Sequence, residues 1–346
     1  MRYRILGRSG LRVSELCLGT MTFGEDWGWG ASREESARMF ERFASAGGNF
    51  IDTANNYTNG ASEKLVGEFI AEDRDRFVLA TKFTISTRTD DPNASGNHRK
   101  NMMQAVEASL KRLRTDRIDL YWLHMWDFTT PIEEVMRGLD DLVRSGKVLH
   151  IGVSDTPAWI VSRANTLAEQ RGWSRFVALQ VPYSLARRDV ERELLPMAKA
   201  FDMAVTPWGL LAAGLLTGKY RLPDGEPRRR KPEDFPEGQA RLADAVVEVA
   251  TELKRPAAQV AINWVRAQEH RAQIVPILGA RSLTQLKDNM ACLDWELAPE
   301  HAKRLEAATG FEAGFPHDFL GADAIRKLVY GDTRDQVDDP RRGHRA

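Results

Sequence analysis

The chain has 346 residues, 42% of them apolar and 28% charged, a size and composition that suit one α/β barrel with insertions and a full core. Lys plus Arg number 49 and Asp plus Glu number 49, so no overall charge draws the protein to nucleic acid or to an anionic membrane. Two cysteines, Cys17 and Cys292, without a Cys-x-x-Cys pair, exclude a disulfide scaffold and fit a reducing, cytoplasmic setting.

In chain order, the first eight residues lack the apolar core of a signal peptide. Residues 3–6 and 11–13 flank the turn-forming stretch 7–10 and read as a β-hairpin. Eight short apolar runs follow, at 16–19, 50–52, 77–82, 118–124, 148–154, 177–180, 204–207 and 274–278. Stretches with a 3.6-residue apolar period lie between and after them, at 34–46, 63–70, 100–113, 132–145, 159–171, 190–201, 240–253 and 283–292. Near-continuous apolar runs are the mark of strands buried on both faces, and strict alternation with helices means a parallel sheet. Eight such units predict closure into a (β/α)8 barrel of the TIM type, with the hairpin before it and a helical extension at the C-terminal end.

The longest uncharged apolar run, 203–218, is too short for a membrane span and is interrupted by Pro207, Gly209 and Gly214. It reads as the seventh strand and the start of a long loop, 211–238, which carries the basic run 228–231. A loop there sits on the face that holds active sites in barrels, so a lid is one expectation and a solvated surface loop the other. Residues 1–331 are expected to form one domain, and 332–346 a charged, weakly ordered tail. The polar loop 84–98 carries His98, which reads as a solvated residue.

Ionisable side chains gather at the strand ends. Asp52 closes the second run, Lys82 the third and His124 the fourth, while Tyr57 follows Asp52 by five residues. A group at the C-terminal end of a barrel strand faces the mouth, where a substrate sits. A phenol ionises near pH 10, and a neighbouring ammonium should lower that value. Asp52 can hold the lysine, and a neutral imidazole can donate to a carbonyl oxygen. Together they make a positioned acid with an oxyanion partner. Taken singly, each has a structural alternative: a core histidine, a strand-end lysine, a helix-side cap, a loop aromatic. No His-x-His or carboxylate cluster suggests a metal, which counts against a metal-dependent barrel lyase or isomerase.

The stretch Phe50-Ile-Asp-Thr-Ala-Asn-Asn-Tyr57 resembles the signature of the aldo-keto reductase superfamily. Val78-Leu-Ala-Thr-Lys82 and Ile118-Asp-Leu-Tyr-Trp-Leu-His124 resemble its lysine and histidine motifs, and the likeness runs over residues 2–310. It is nearest to bacterial NADPH-dependent members and to the branch of the potassium-channel β subunits. The resemblance implies a carbonyl reductase with Tyr57 as general acid, Lys82 and Asp52 tuning it, and His124 orienting the carbonyl. A cofactor-binding regulatory subunit on the same barrel is the alternative.

No Gly-x-Gly-x-x-Gly follows the first strand, which counts against a dinucleotide-binding Rossmann unit. The resemblance implies NADPH or NADP+ laid across the mouth instead. Gly19, Thr20, Met21 and Asp52 would line it. Ser154, Asp155 and Gln180 would meet the carboxamide, and Trp208 would stack on the nicotinamide. Gly209, Leu210, Gly214, Leu216, Gly218 and Lys219 would follow the pyrophosphate. Gly279, Arg281, Gln285, Asp288 and Asn289 would hold the adenosine end, with Arg281 suited to the 2′-phosphate. Two positions depart from the family: Asp155 stands where Asn is usual, and Gly209-Leu210 replaces Ser-Pro. Trp27, Tyr57, His124 and Trp126 are expected to form the substrate pocket for a small-molecule aldehyde or ketone. A homo-oligomer is open.

Overall fold

The computed structural model describes residues 1–219 and 238–337. Strands β1 (Tyr3–Ile5) and β2 (Arg12–Ser14) pair antiparallel across the expected turn. Leu6 and Val13 of this hairpin are fully buried and join the apolar cluster inside the barrel.

The barrel strands are β3 (Cys17–Gly19), β4 (Phe50–Asp52), β5 (Val78–Phe83), β6 (Ile118–Leu123), β7 (Val148–Ser154), β8 (Phe176–Pro182) and β9 (Ala204–Trp208), followed by a last strand in two halves, β10 (Gln273–Ile274) and β11 (Ile277–Leu278). All pair parallel, each with the next in sequence. β10 pairs with β9 and β11 pairs with β3, which closes the ring as a (β/α)8 barrel. The continuous run expected at 274–278 is thus divided at Val275 and Pro276. Proline has no N–H to offer a ladder. Val275 N still donates to Val205 O at 2.8 Å, and Pro276 O accepts from Cys17 N at 2.9 Å. The strand changes partner at the residue that cannot donate.

Around the ring run α1 (Arg33–Ser45), α2 (Ala61–Phe69), α3 (Arg99–Leu113), α4 (Ile132–Arg144), α5 (Ala158–Arg171), α6 (Leu194–Ala200), α7 (Gln239–Leu253), α8 (Ala257–Arg266) and α9 (Leu283–Met290). The helix expected over 190–201 is shorter than the pattern implied. A 3-10 turn at Asp189–Glu191 precedes α6, whose first turn holds Pro196. A proline is tolerated in a first helical turn and not further in, so α6 starts just before it. The extension consists of α10 (Pro299–Ala307), α11 (His317–Gly321) and α12 (Asp323–Tyr330).

Strand residues alternate between two apolar clusters. Cys17, Phe50, Val78, Ala80, Leu120, Trp122 and Ala178 fill the ring, whereas Leu18, Ile51, Leu79, Tyr121 and Leu179 pack outward against the helices. Trp122 takes so much of the interior that a Cβ on its neighbour Gly152 would lie 2.3 Å from the ring, which is why that register position is glycine. No described helix is long and apolar enough to cross a membrane. The expected lid is described only as far as Lys219. The basic run 228–231 and tail residues 338–346 lie outside the described residues.

Candidate active site

The alternation that fills the ring with Phe50, Ala80 and Ala178 brings the next inward residues, Asp52, Lys82 and Gln180, to its C-terminal end. All three are buried. Tyr57 is set above them by a tight turn. Thr58 and Asn59 have φ of 45° and 55°, in the left-handed region. The Thr58 hydroxyl compensates locally: it donates to Phe23 O at 2.7 Å and accepts from Ser62 N at 3.0 Å, which pins the loop to the first turn of α2.

Lys82 Nζ has three donors, and all are used. They go to Asp52 Oδ2 at 2.5 Å, Thr53 O at 2.8 Å and Tyr57 Oη at 3.1 Å. Asp52 Oδ1 accepts from Gln180 Nε2 at 3.0 Å. The Tyr57 oxygen therefore receives a hydrogen bond from an ammonium that can only donate, and its own O–H is left for another acceptor. The His124 ring stands 6.1 Å from the Tyr57 ring, nearly perpendicular to it. His124 Nδ1 is buried without a partner. A buried N–H lacking an acceptor is rarer than an unshared lone pair, so we assign the ring proton to Nε2.

The protonation states follow from burial and pairing. Burial depresses the Lys82 ammonium, but Asp52 and Tyr57 outweigh it and hold the amine above its ordinary value. Burial and the Lys82 charge push His124 well below the usual imidazole range, which keeps it neutral. Tyr57 corrects the sequence expectation: burial raises its phenol, and Lys82 only partly opposes this. The physical reason is first the burial of the phenol, to which the Asp52 charge adds against the pull of Lys82. The phenol is a firmly protonated donor at neutral pH.

Ser154 ends β7, and Asp155 follows it at φ 38°. Trp208 ends β9, partly exposed, with its indole close to the Asp155 side chain. Burial pushes the Asp155 carboxyl up to about 6, against Arg187, Lys82 and the indole. A nicotinamide carboxamide needs both acceptors and a donor. Gln180 Oε1 and the Ser154 hydroxyl have no partner among the described residues, and the Asp155 carboxylate adds an acceptor, so this donor set fits it. Gly214 has φ 102° with open space before its Cα, a backbone conformation that favours glycine. Gly209 and Gly218 also have positive φ. Leu210 and Leu216 are buried, and Lys219 is exposed.

The opening of the first barrel strand is occupied differently from the rest. Gly19 is packed against Ile277, and the Thr20 hydroxyl bonds Asp52 O and Ser62 Oγ, while Met21 is half-buried. At the start of α9, Arg281 N donates to Gln285 Oε1 at 2.9 Å, and the Arg281 guanidinium has no partner among the described residues. Asn289 Nδ2 holds Gly279 O at 3.3 Å. Asp288 accepts from Gln259 at 3.0 Å, so one of its oxygens is committed to α8.

Trp27 approaches the Tyr57 ring edge-on at 6.4 Å and lies 5.6 Å from Trp29. Trp126 is half-buried, and its N–H donates to Asp155 O at 3.3 Å, which ties the loop after β6 to the end of β7. Two local residues escaped the sequence reading. Glu63 on α2 is fully buried, accepting from Thr81 Oγ1 at 2.6 Å and from Arg112 Nε at 2.5 Å. His98 is not a solvated loop residue: its Nδ1 caps α3 by accepting from Asn101 N at 3.2 Å. Among the described residues no group of three or more His, Cys, Asp or Glu is placed to hold a metal.

A family model described as the aldo/keto reductase family matches residues 15–309. Among curated proteins, a norsolorinic acid reductase of Aspergillus flavus is 42% identical over 330 residues, covering 92% of this chain and 84% of its own. An aryl-alcohol dehydrogenase of Pestalotiopsis microspora is 38% identical, covering 92% and 85%. A putative aryl-alcohol dehydrogenase of Saccharomyces cerevisiae is 36% identical, covering 95% and 92%. The match spans every barrel strand, and the chain belongs to the aldo/keto reductase family.

Proposed function

We propose that the protein reduces aromatic aldehydes or ketones to alcohols with NADPH. The carrying observation is the exhausted donor set of Lys82, which leaves the Tyr57 proton for a substrate oxygen. The family works with nicotinamide cofactors on small carbonyl compounds. When bound, the nicotinamide supplies hydride. The chain's residues do the rest. His124 Nε2 donates to the carbonyl oxygen and polarises it. Tyr57 gives that oxygen its proton, and the resulting phenolate is held by Lys82, whose charge Asp52 fixes in place. Gln180 and Ser154 orient the carboxamide, and Trp208 supports the ring face.

Arg281 supports NADPH over NADH, because an unpartnered guanidinium at a helix start can bind a 2′-phosphate in bidentate fashion. The aromatic substrate class rests on Trp27 beside Tyr57 and on relatives named for aryl compounds. Those reported relatives are named as enzymes, which favours turnover over a purely regulatory role. The test is a carbonyl panel with NADPH. Benzaldehydes and aryl ketones should be consumed faster than aliphatic carbonyls of equal size. An inert panel, with NADPH still bound, would favour the regulatory reading.

A further inference from the structure

Asp155 is the position at the mouth where this chain carries a charge the fold does not ask for. Its left-handed backbone suits Asn as well as Asp. Its N–H reaches Gln180 O at 3.4 Å, and its carbonyl accepts from Trp126 N, so the main chain is held whatever the side chain. The nearby Trp208 indole is a neutral donor, which an amide oxygen would serve as well as a carboxylate. What the carboxylate adds is a full negative charge, in surroundings that resist it. Charges kept in such places mark function more often than packing.

The groups facing it are Lys82 from β5, Arg187 from the loop after β8, Tyr57 from the loop after β4 and the neutral indole of Trp208. Lys82 is already paired with Asp52, and Arg187 is exposed and solvated. Both favour the charged carboxylate, and burial outweighs them.

We propose that the Asp155 carboxylate discriminates between the redox states of the nicotinamide, binding the oxidised, cationic ring more tightly than the reduced, neutral one. This rests on the reading of the mouth as a nicotinamide site. In the reduction, hydride carries an electron pair from the dihydronicotinamide to the carbonyl carbon. The carbon–oxygen π pair moves onto oxygen, which takes the Tyr57 proton. The phenol becomes phenolate beside Lys82, and the ring left behind gains one positive charge. Asp155 meets that charge as it develops, so it favours the reductive direction.

The experiment is a fluorescence titration of the full chain and its D155N variant with NADPH and with NADP+, at pH 8 and pH 5.5. In the wild type at pH 8, the ratio Kd(NADP+)/Kd(NADPH) should be lower than in D155N by roughly tenfold, as expected for a unit charge a few ångströms from the ring. At pH 5.5 the wild-type ratio should move towards that of D155N. The 2′-phosphate also titrates near pH 6, but it is common to both forms and cancels in the ratio. Equal ratios in the two proteins at pH 8, with both dinucleotides bound, overturn this proposal alone. Failure of the wild type to bind either dinucleotide overturns the nicotinamide reading and this proposal with it. Loss of all binding in D155N alone overturns this proposal, because it would make Asp155 a requirement for binding rather than a discriminator.

Discussion

Lys82 Nζ lies 2.5 Å from Asp52 Oδ2, and both side chains are almost wholly buried. The pair is the electrostatic base of the site. Asp52 keeps the amine charged against its burial, and in doing so limits how far the amine can acidify Tyr57.

Removing the carboxylate while keeping the shape should therefore be costly. D52N leaves a buried ammonium without its counter-charge, for which the expected loss is about 3–5 kcal/mol of unfolding free energy. Urea unfolding measures it. A change below about 1 kcal/mol, typical of a surface pair, would show that Lys82 does not depend on Asp52.

Asp155 gives a stability prediction with a defined sign. Its folded value of about 6 lies above the ordinary carboxylate value of about 3.9. Between those two pH values the folded state binds more protons than the unfolded chain, so Asp155 subtracts stability as pH rises through that window. D155N should melt higher than wild type at pH 8 and match it at pH 4. A lower melting temperature at pH 8 would mean that the carboxylate stabilises the fold.

Arg281 should report on the 2′-phosphate. Losing charge-assisted hydrogen bonds to a phosphate costs about 1.5–3 kcal/mol, or roughly 10- to 100-fold in Kd. R281A should weaken NADPH by that amount and leave NADH within about twofold. Equal weakening of both would remove Arg281 from phosphate recognition.

Trp27 should act on KM more than on kcat. An edge-on aromatic contact and its buried area are worth enough that W27A should raise KM for an aryl aldehyde by about tenfold. KM for a short aliphatic aldehyde should change far less. A uniform loss for both would make Trp27 a support for the Tyr57 loop rather than a substrate wall.

Much of this site could be read from the sequence because two simple periods carry it. The strand alternation that places Phe50 inside also places Asp52 there, and Ala80 does the same for Lys82. Other features depend on contacts between distant segments. Helix α8 was not expected, because it follows α7 directly, where strict strand–helix alternation calls for a strand. The buried role of Glu63 depends on Arg112, 49 residues away in sequence, which nothing local to α2 announces. The direction of the Tyr57 shift depends on how far the burial of the phenol outweighs Lys82, a balance that residue types alone do not set. The divided last strand shows only a proline in sequence, and its change of partner emerges when the ring closes.

The proton donated by Tyr57 is the centre of the account, and single-turnover reduction of an aryl aldehyde by Y57F with saturating NADPH tests it most directly. The rate should fall by about 10³-fold or more, within the range of general-acid contributions, while the Kd for NADPH stays unchanged. A rate within about threefold of wild type would contradict it, because it falls far below the roughly 10²- to 10⁴-fold that a general acid typically contributes.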